Sequence, residues 1–517
     1  MHRLFILLLS VITAPSAWAD GVTVVQGYQT TGQGNQRALL LRMDFAGDKP
    51  IARLTFYLKG NTPRHLIGVQ LYANDAEEFF ADSIPTFKGQ TFAAESVHFT
   101  LNQWNGQRLW LTAQVKDNAT LGQHIDAALT RIDYQDGTSM EVPDSIGDPD
   151  GEARIFATQS LAFVPTTDNC RFYRIPAMVV DSEGHLLVAA DRRYDSNTDL
   201  GNHRIDVAVR RSRDGGHTWS SQQIIAQGDG ASESCFGYGD PALAVAPSGR
   251  IVCLMAAGRK GYFQGMQNMG LTMSDDNGAT WTPVRDLMAS SFRDATHGTT
   301  NSLGFWSIFT TSGKGLTTRD GTILFAANTL KEANNYQSDC YIISSTDEGE
   351  HWQLGPTLAF AAGDESKLEQ LSNDSLLISV RRRGARGFNI GSKDGSQWQQ
   401  QWNNADITNG NACNADMLRY DGHTLLHTYL KHPTHRTNLV LAMSTDNGHS
   451  WRDAMTIQPG GAAYSTMVLM PNGDVGILYE DESYSAGNGY ALTFVTITRQ
   501  QILTAAQAMS SATSPDR

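Results

Sequence analysis

Cysteine is scarce: Cys170, Cys235, Cys253, Cys340 and Cys413 are the only five in 517 residues. So few exclude a disulfide scaffold, and an odd number leaves at least one thiol free or paired with another chain. No C-x-x-C occurs, and His423 with His427 form an isolated H-x3-H pair, too few ligands for structural zinc. Neither a metal nor a cofactor is expected. Positive charge is also short: Lys and Arg total 40 against 53 Asp and Glu, a net charge of −13. That balance argues against a nucleic-acid binder, yet a local cluster of arginines could still hold a small anion. Long apolar runs are missing except near the start, where Leu4 to Ile12 precede Ala17-Trp18-Ala19. Residues 1–19 read as a signal peptide with an A-x-A cleavage site, so an exported protein, periplasmic or secreted, is expected. No other stretch approaches the roughly 18 apolar residues of a transmembrane helix. Proline is sparse too, 16 against 48 glycines and ten tryptophans, a balance that suits turn-rich β structure.

What is present is organised in two parts. Residues 20–150 alternate apolar and polar positions between polar turns, as in Arg53-Leu54-Thr55-Phe56-Tyr57-Leu58 and Arg108-Leu109-Trp110-Leu111. This predicts an antiparallel β-sandwich, jelly-roll-like, and both glycan binding and a spacer role are open for it. The Pro/Gly/Asp-rich stretch at 141–152 marks the boundary. Over residues 151–505 a repeat of the form S-x-D-x-G-x-x-W appears, starting at Ser212, Ser274, Ser345 and Ser444, with a copy one residue short at Ser392. Starts lie 62, 71, 47 and 52 residues apart, which suits one four-stranded unit each. Each copy predicts a tight turn: aspartate caps backbone N–H groups, glycine takes a left-handed position, and tryptophan tucks between sheets. Strand–turn–strand units repeated around an axis close naturally as a β-propeller. The turns are structural, with no catalysis assigned to them. Residues 499–509 predict a short helix, and the tail over 506–517 is expected to be disordered.

Together with these turns, Phe172-Tyr173-Arg174-Ile175-Pro176 gives the chain a family likeness. It resembles the bacterial exo-α-sialidases (neuraminidases), over roughly residues 155–500. The resemblance implies an all-β protein with a six-bladed catalytic propeller behind the sandwich. Residue by residue, it implies that Arg174, Arg381 (closing Leu376-Leu-Ile-Ser-Val-Arg381) and Arg436 bind the substrate carboxylate. Asp199 matches the acid/base, Tyr464 in Ala463-Tyr464-Ser465 the nucleophile, and Glu480 the brace of the first arginine. Glu365, opening Glu365-Ser-Lys-Leu-Glu369, matches the catalytic glutamate, with Glu369 as its competitor on the same strand face. Arg382 and Arg383 compete in the same way with Arg381. Arg193 and Asp191 are candidates for contacts at the sugar's 4-position.

The chemistry explains these residue types. A sialic acid carries a carboxylate on its anomeric carbon, and three guanidinium forks hold such a group with charge-assisted bonds of roughly 1.5–3 kcal/mol each. The same carboxylate would repel an Asp or Glu nucleophile, whereas a phenol is neutral until a base removes its proton. Sialidases with a tyrosine nucleophile are a known exception to two-carboxylate glycoside hydrolysis. The resemblance therefore implies hydrolysis of terminal sialic acid from glycans with retention, Asp199 protonating the leaving oxygen. A transferring or intramolecular sialidase would use the same residues. A catalytically silent sialoglycan-binding propeller would keep the arginines and need none of Asp199, Glu365 and Tyr464.

Overall fold

A computed structural model of the protein describes residues 21–73, 87–90, 95–201, 203–264, 268–287, 305–332, 338–409, 412–484 and 489–511. The leader expected over 1–19 and the last six residues lie outside them. The chain is all-β apart from short helices, and it divides into two compact units, Met1–Ile155 and Phe156–Arg517. The division falls at 155 rather than 150 because Glu152–Phe156 pairs with His124–Ile125, Ala153 opposite Ile125, and so belongs to the first unit's sheet. Among the described residues no helix is long and apolar enough to cross a membrane.

In the first unit, Ala38–Phe45, Arg108–Val115 and Leu66–Ala73 form the middle of one antiparallel sheet, and Ala127–Tyr134, Ile51–Leu58 and Ser96–Trp104 run side by side in a second. Alternate residues of both, including Leu41, Val69 and Leu111 from one and Leu54, Phe56 and Ile132 from the other, meet in one core. Period-two alternation in the sequence is the cause, since it puts every second side chain on the buried face.

In the second unit each repeat folds as an antiparallel meander of adjacent strands. Phe172–Val180, Leu186–Arg193, Ile205–Ser212 and Gln223–Ala226 are the first such sheet, and Ser366–Gln370, Leu376–Val380, Gly384–Gly391 and Trp402–Asn409 are another. Their strands are apolar on both faces because each sheet packs against two others. Leu187 and Val207 of the first sheet meet Ile251 and Met255 of the next. Val252 and Leu271 then meet Phe325 and Ile343, and Leu324 and Ile342 meet Leu376 and Ile378. Leu377 and Phe388 join Leu425 and Val440, and Leu426 and Leu441 join Ile477 and Val495. Finally Leu478 and Phe494 pack on Leu186 and Val188, returning to the first sheet. Strand Gln159–Phe163, from the start of this unit, pairs with Ala491–Ile497 from its end. The long strand Arg452–Leu469 pairs with Thr437–Ser444 through its first part and with Val475–Asp481 through its second.

The repeated turns follow the third strand of their sheets. At the first, Gly216 N–H donates to Ser212 Oγ (2.8 Å) and Thr218 N–H to Asp214 Oδ1 (2.9 Å). The pattern recurs at Ser274, Ser345 and Ser444. The short copy at Ser392 forms a comparable turn, with Gln397 N–H on Ser392 Oγ (3.0 Å) and Trp398 Nε1 on the Gly395 carbonyl (3.0 Å). Gly216 has φ +92°, and a Cβ there would lie 2.1 Å from the Phe494 ring of the adjoining sheet, so only glycine fits. One expectation is corrected: the tail is helical over Arg499–Ser511 rather than disordered from 506, because Ile502, Ala505, Ala506 and Met509 pack on the cluster containing Ile477 and Val495.

The turns carry a pH signature. The hydroxyl and N–H of Thr280 hold the Asp276 carboxyl down at about 2. At Asp214, Asp347 and Asp446 burial pushes upward, and the Ser, Thr and His donors of each turn outweigh it. A carboxyl that titrates lower in the folded chain than in the unfolded one adds stability that is complete above about pH 5 and lost toward pH 2. The thermal midpoint of the second unit should therefore fall across that window, and Asp276→Asn should make the fall shallower. A midpoint insensitive to pH between those limits, followed by circular dichroism, would contradict the account.

Candidate active site

The chemically interesting side chains gather at one end of these sheets, opposite the repeated turns. Arg174 and Asp240 stand near the starts of first strands and Glu365 just before one, Asp191, Arg193 and Glu480 near the ends of second strands and Arg381 just after one, and Arg436 just before a third. In an antiparallel meander those positions share one edge, so segments far apart in sequence are brought together.

Glu480, fully buried, is the hub. It accepts Arg174 Nε (2.6 Å) and Nη2 (3.1 Å), the Ile175 N–H (2.8 Å) and the Tyr464 N–H (3.1 Å). Ile175 has φ +60°, a left-handed conformation costly for a β-branched residue, and the pairing with the second strand shifts register between Arg174 and Ala177. The hydrogen bond to Glu480 holds that bulge.

Tyr464 is only 8% exposed. Its hydroxyl donates to Glu365 Oε2 (2.8 Å) and accepts from Arg381 Nη1 (2.9 Å). Arg381 is also ion-paired with Glu365 and lies 3.4 Å from Asp364. The Arg174 and Arg436 guanidinium carbons lie 5.7 and 5.5 Å from the Tyr464 ring centroid, and Arg174 also faces the Tyr490 ring at 5.0 Å. Three guanidiniums thus surround one phenol. Burial, then the Glu365 charge, push the phenol well above its ordinary pKa despite Arg381, so it is neutral at rest.

Of the competitors, Glu369 is bonded to Lys314 (3.2 Å), Arg382 to Asn403 (2.8 Å), and Arg383 is exposed. Asp199 lies open, 77% exposed, with Arg193 Nη2 at 2.9 Å. Partial loss of hydration beside the protein wall pushes its carboxyl upward, but Arg193 and Arg174 prevail and hold it below the usual carboxylate range. Arg193 and Asp191, the candidates for contacts at the sugar's 4-position, stand beside Asp199. Both are about 1% exposed: Arg193 is committed to Asp191 and the Asn197 carbonyl, and Asp191 also accepts the Asp240 N–H (2.8 Å). They brace Asp199 from behind.

Asp240 itself escaped the sequence reading. Burial, with Asp191 and Asp199 nearby, pushes its carboxyl far above the usual carboxylate range. A signal existed: Tyr238-Gly-Asp-Pro-Ala242 echoes Tyr173-Arg-Ile-Pro-Ala177, and both segments bulge with a left-handed residue before proline. Among the described residues no group of three His, Cys, Asp or Glu side chains is arranged for a metal. His427 is buried, bonded to Ser379 (2.7 Å), and the five cysteines form no disulfide with one another.

Residues 185–477, more than half of the chain, match the BNR repeat-like domain. The chain belongs to the BNR repeat-like family. Among curated relatives, this BNR repeat-like chain is 28% identical to a sialidase of Micromonospora viridifaciens over 64% of its own length and 53% of the relative's. It is 25% identical to a sialidase of Bacteroides fragilis, over 72% of its length and 70% of the relative's. It thus spans about half the length of the first and more of the second. Its fold is similar to that of the Hadza microbial sialidase Hz136, with a TM-score of 0.67 at 20% identity, covering 92% of this chain and 99% of that one.

The hub makes a stability prediction. Glu480→Ala leaves a buried guanidinium and two backbone N–H groups without their acceptor, and should cost about 3–5 kcal/mol in chemical unfolding at neutral pH. A loss under about 1 kcal/mol would show that the hub contributes little.

Proposed function

We propose that the chain is an exo-α-sialidase that hydrolyses terminal sialic acid from glycans with retention, built on a six-bladed propeller preceded by a β-sandwich. The observation that carries this reading is the convergence of Arg174, Arg381 and Arg436 on Tyr464, whose hydroxyl bonds Glu365. Export through the leader-like residues 1–19 belongs to the same proposal.

The arginines take the substrate carboxylate. Glu480 occupies Nε and Nη2 of Arg174, which leaves Nη1 to meet the anion. Arg436 makes no ion pair among the described residues. Held this way, the anomeric carbon comes to the Tyr464 oxygen. Glu365, 2.8 Å away, takes the phenolic proton as the oxygen–carbon bond forms. Cations over the ring and beside the hydroxyl favour the negative charge developing on oxygen, in a site already shielded from water. Asp199 protonates the departing glycosidic oxygen and later takes a proton from water. Its carboxyl is ionised in the open site, so the proton must come when the bound sugar covers it and opposes the arginine field.

A fluorogenic sialoside tests the reading. Wild type should release the aglycone, whereas Tyr464→Phe and Asp199→Asn should fold normally and lose most turnover. Binding of sialosides without release would make the chain a lectin, and analysis of the products separates hydrolysis from transfer. Arg381→Ala should raise KM and lower kcat together, because the clamp also aligns the reacting carbon. An unchanged kcat/KM in that variant would remove Arg381 from the clamp.

A further inference from the structure

One buried cation has no part in the reaction just described. Lys367 follows Glu365 by two positions, so the side chains at 365, 367 and 369 leave the backbone on one face, about 6–7 Å apart. Lys367 is 1% exposed. Its Nζ donates to the Ser312 carbonyl (2.5 Å) and to Asn414 Oδ1 (3.1 Å), from two segments outside its own sheet. Both acceptors are neutral, and among the described residues no carboxylate lies within ion-pairing distance. Two acceptors suit the two N–H groups of an uncharged amine, so the hydrogen bonds survive loss of the third proton.

Charged groups face this amine from every side. Glu365 and Glu369 flank it on its own strand, the latter taken by Lys314 at 3.2 Å. Lys314 also faces Asp416 at 3.7 Å. Arg386 and the buried His427 complete the surroundings. Burial dominates and, with Arg386 and Lys314 assisting and Asp416 and Glu365 opposing, pushes the amine down to about 8. The charge at this position therefore changes near neutrality while its contacts stay in place.

We propose that Lys367 is a positioning residue for the Tyr464–Glu365 pair, its charge state setting how strongly Glu365 draws the phenolic proton. The inference rests on the function proposed above. In the attack, the Tyr464 oxygen–carbon bond forms, the bond to the aglycone breaks, and the phenolic proton moves to Glu365, which loses its negative charge. A cation on the same strand face stabilises that negative charge and makes Glu365 a weaker base. Release of the Lys367 proton to solvent lifts the restraint. Arg381 already pairs with Glu365, and Arg386 acts on it as well. A third permanent cation would oppose the transfer, and a lysine able to become neutral does not.

The test is the pH profile of kcat/KM on an aryl sialoside whose leaving group needs no protonation, between about pH 6 and 9.5. Wild type should rise about threefold through an inflection near 8. Lys367→Met should run at the upper level throughout and Lys367→Arg at the lower, both without the inflection. Unfolding midpoints report whether each variant is folded, and the arginine variant carries the test if the methionine variant is not. On wild type alone, the inflection should move with temperature as an amine's does rather than a carboxyl's. An inflection that survives in folded variants, or that follows a carboxyl's temperature dependence, overturns the role of Lys367. A wild type that turns over no sialoside at any pH instead overturns the function on which the inference rests.

Discussion

Three like charges held around one aromatic ring are the constraint on which the rest of this structure depends. Arg174, Arg381 and Arg436 repel one another, and each gives up hydration to stand beside Tyr464. Glu480 and Glu365 offset that cost from within the fold. Glu480 does more than balance charge. By accepting the N–H groups of Ile175 and Tyr464 it also fixes the backbone on either side of the site, so compensation and geometry are one interaction. The left-handed Ile175, a strain of order 1–3 kcal/mol, persists because a buried carboxylate rewards it.

That interaction joins residues 306 positions apart. Only a chain that returns to its start can do this, and the second unit returns twice: Gln159–Phe163 completes the sheet of Ala491–Ile497, and Phe494 packs with Val188. The sheets have two unlike ends. At one, Ser, Asp, Gly and Trp form closed turns whose polar groups are satisfied locally. At the other, bulges and strand ends leave arginines and carboxylates to satisfy one another across sheets. Stability and chemistry are thereby separated, and a substitution in a turn reaches the site only through the packing between sheets.

Much of this was legible in the sequence. The turns announce themselves because their hydrogen bonds lie within eight residues, and alternation reveals strands because burial has period two. The arginine and carboxylate positions became legible through their likeness to a family whose substrate dictates those residue types. What stayed hidden was whatever depends on depth. Arg193 and Asp191 stand in a row of charged residues, and only the folded strand shows that both are buried. Asp240 lies in a segment with no arginine to draw attention, and nothing in the sequence shows that Ser312 and Asn414 close over Lys367. The terminal helix runs two residues beyond the expected 509, with Ile502 and Met509 against a distant core.

The two ends of the proposed proton path sit in opposite surroundings. Glu365 is 5% exposed, bonded to the Tyr464 hydroxyl. Asp199 is 77% exposed, and in the open site the arginine charges hold it ionised. An acid that is ready before substrate arrives would need a buried carboxyl, and burying it among arginines would deepen its ionisation instead of relieving it. Leaving it open resolves the conflict. In the proposed function a substrate carboxylate would neutralise the arginine field and its ring would displace water, so the ligand itself would raise the proton affinity of Asp199. Such an acid acts only on molecules that bring a negative charge to the right place, which makes recognition of the carboxylate and protonation of the leaving group parts of one electrostatic event.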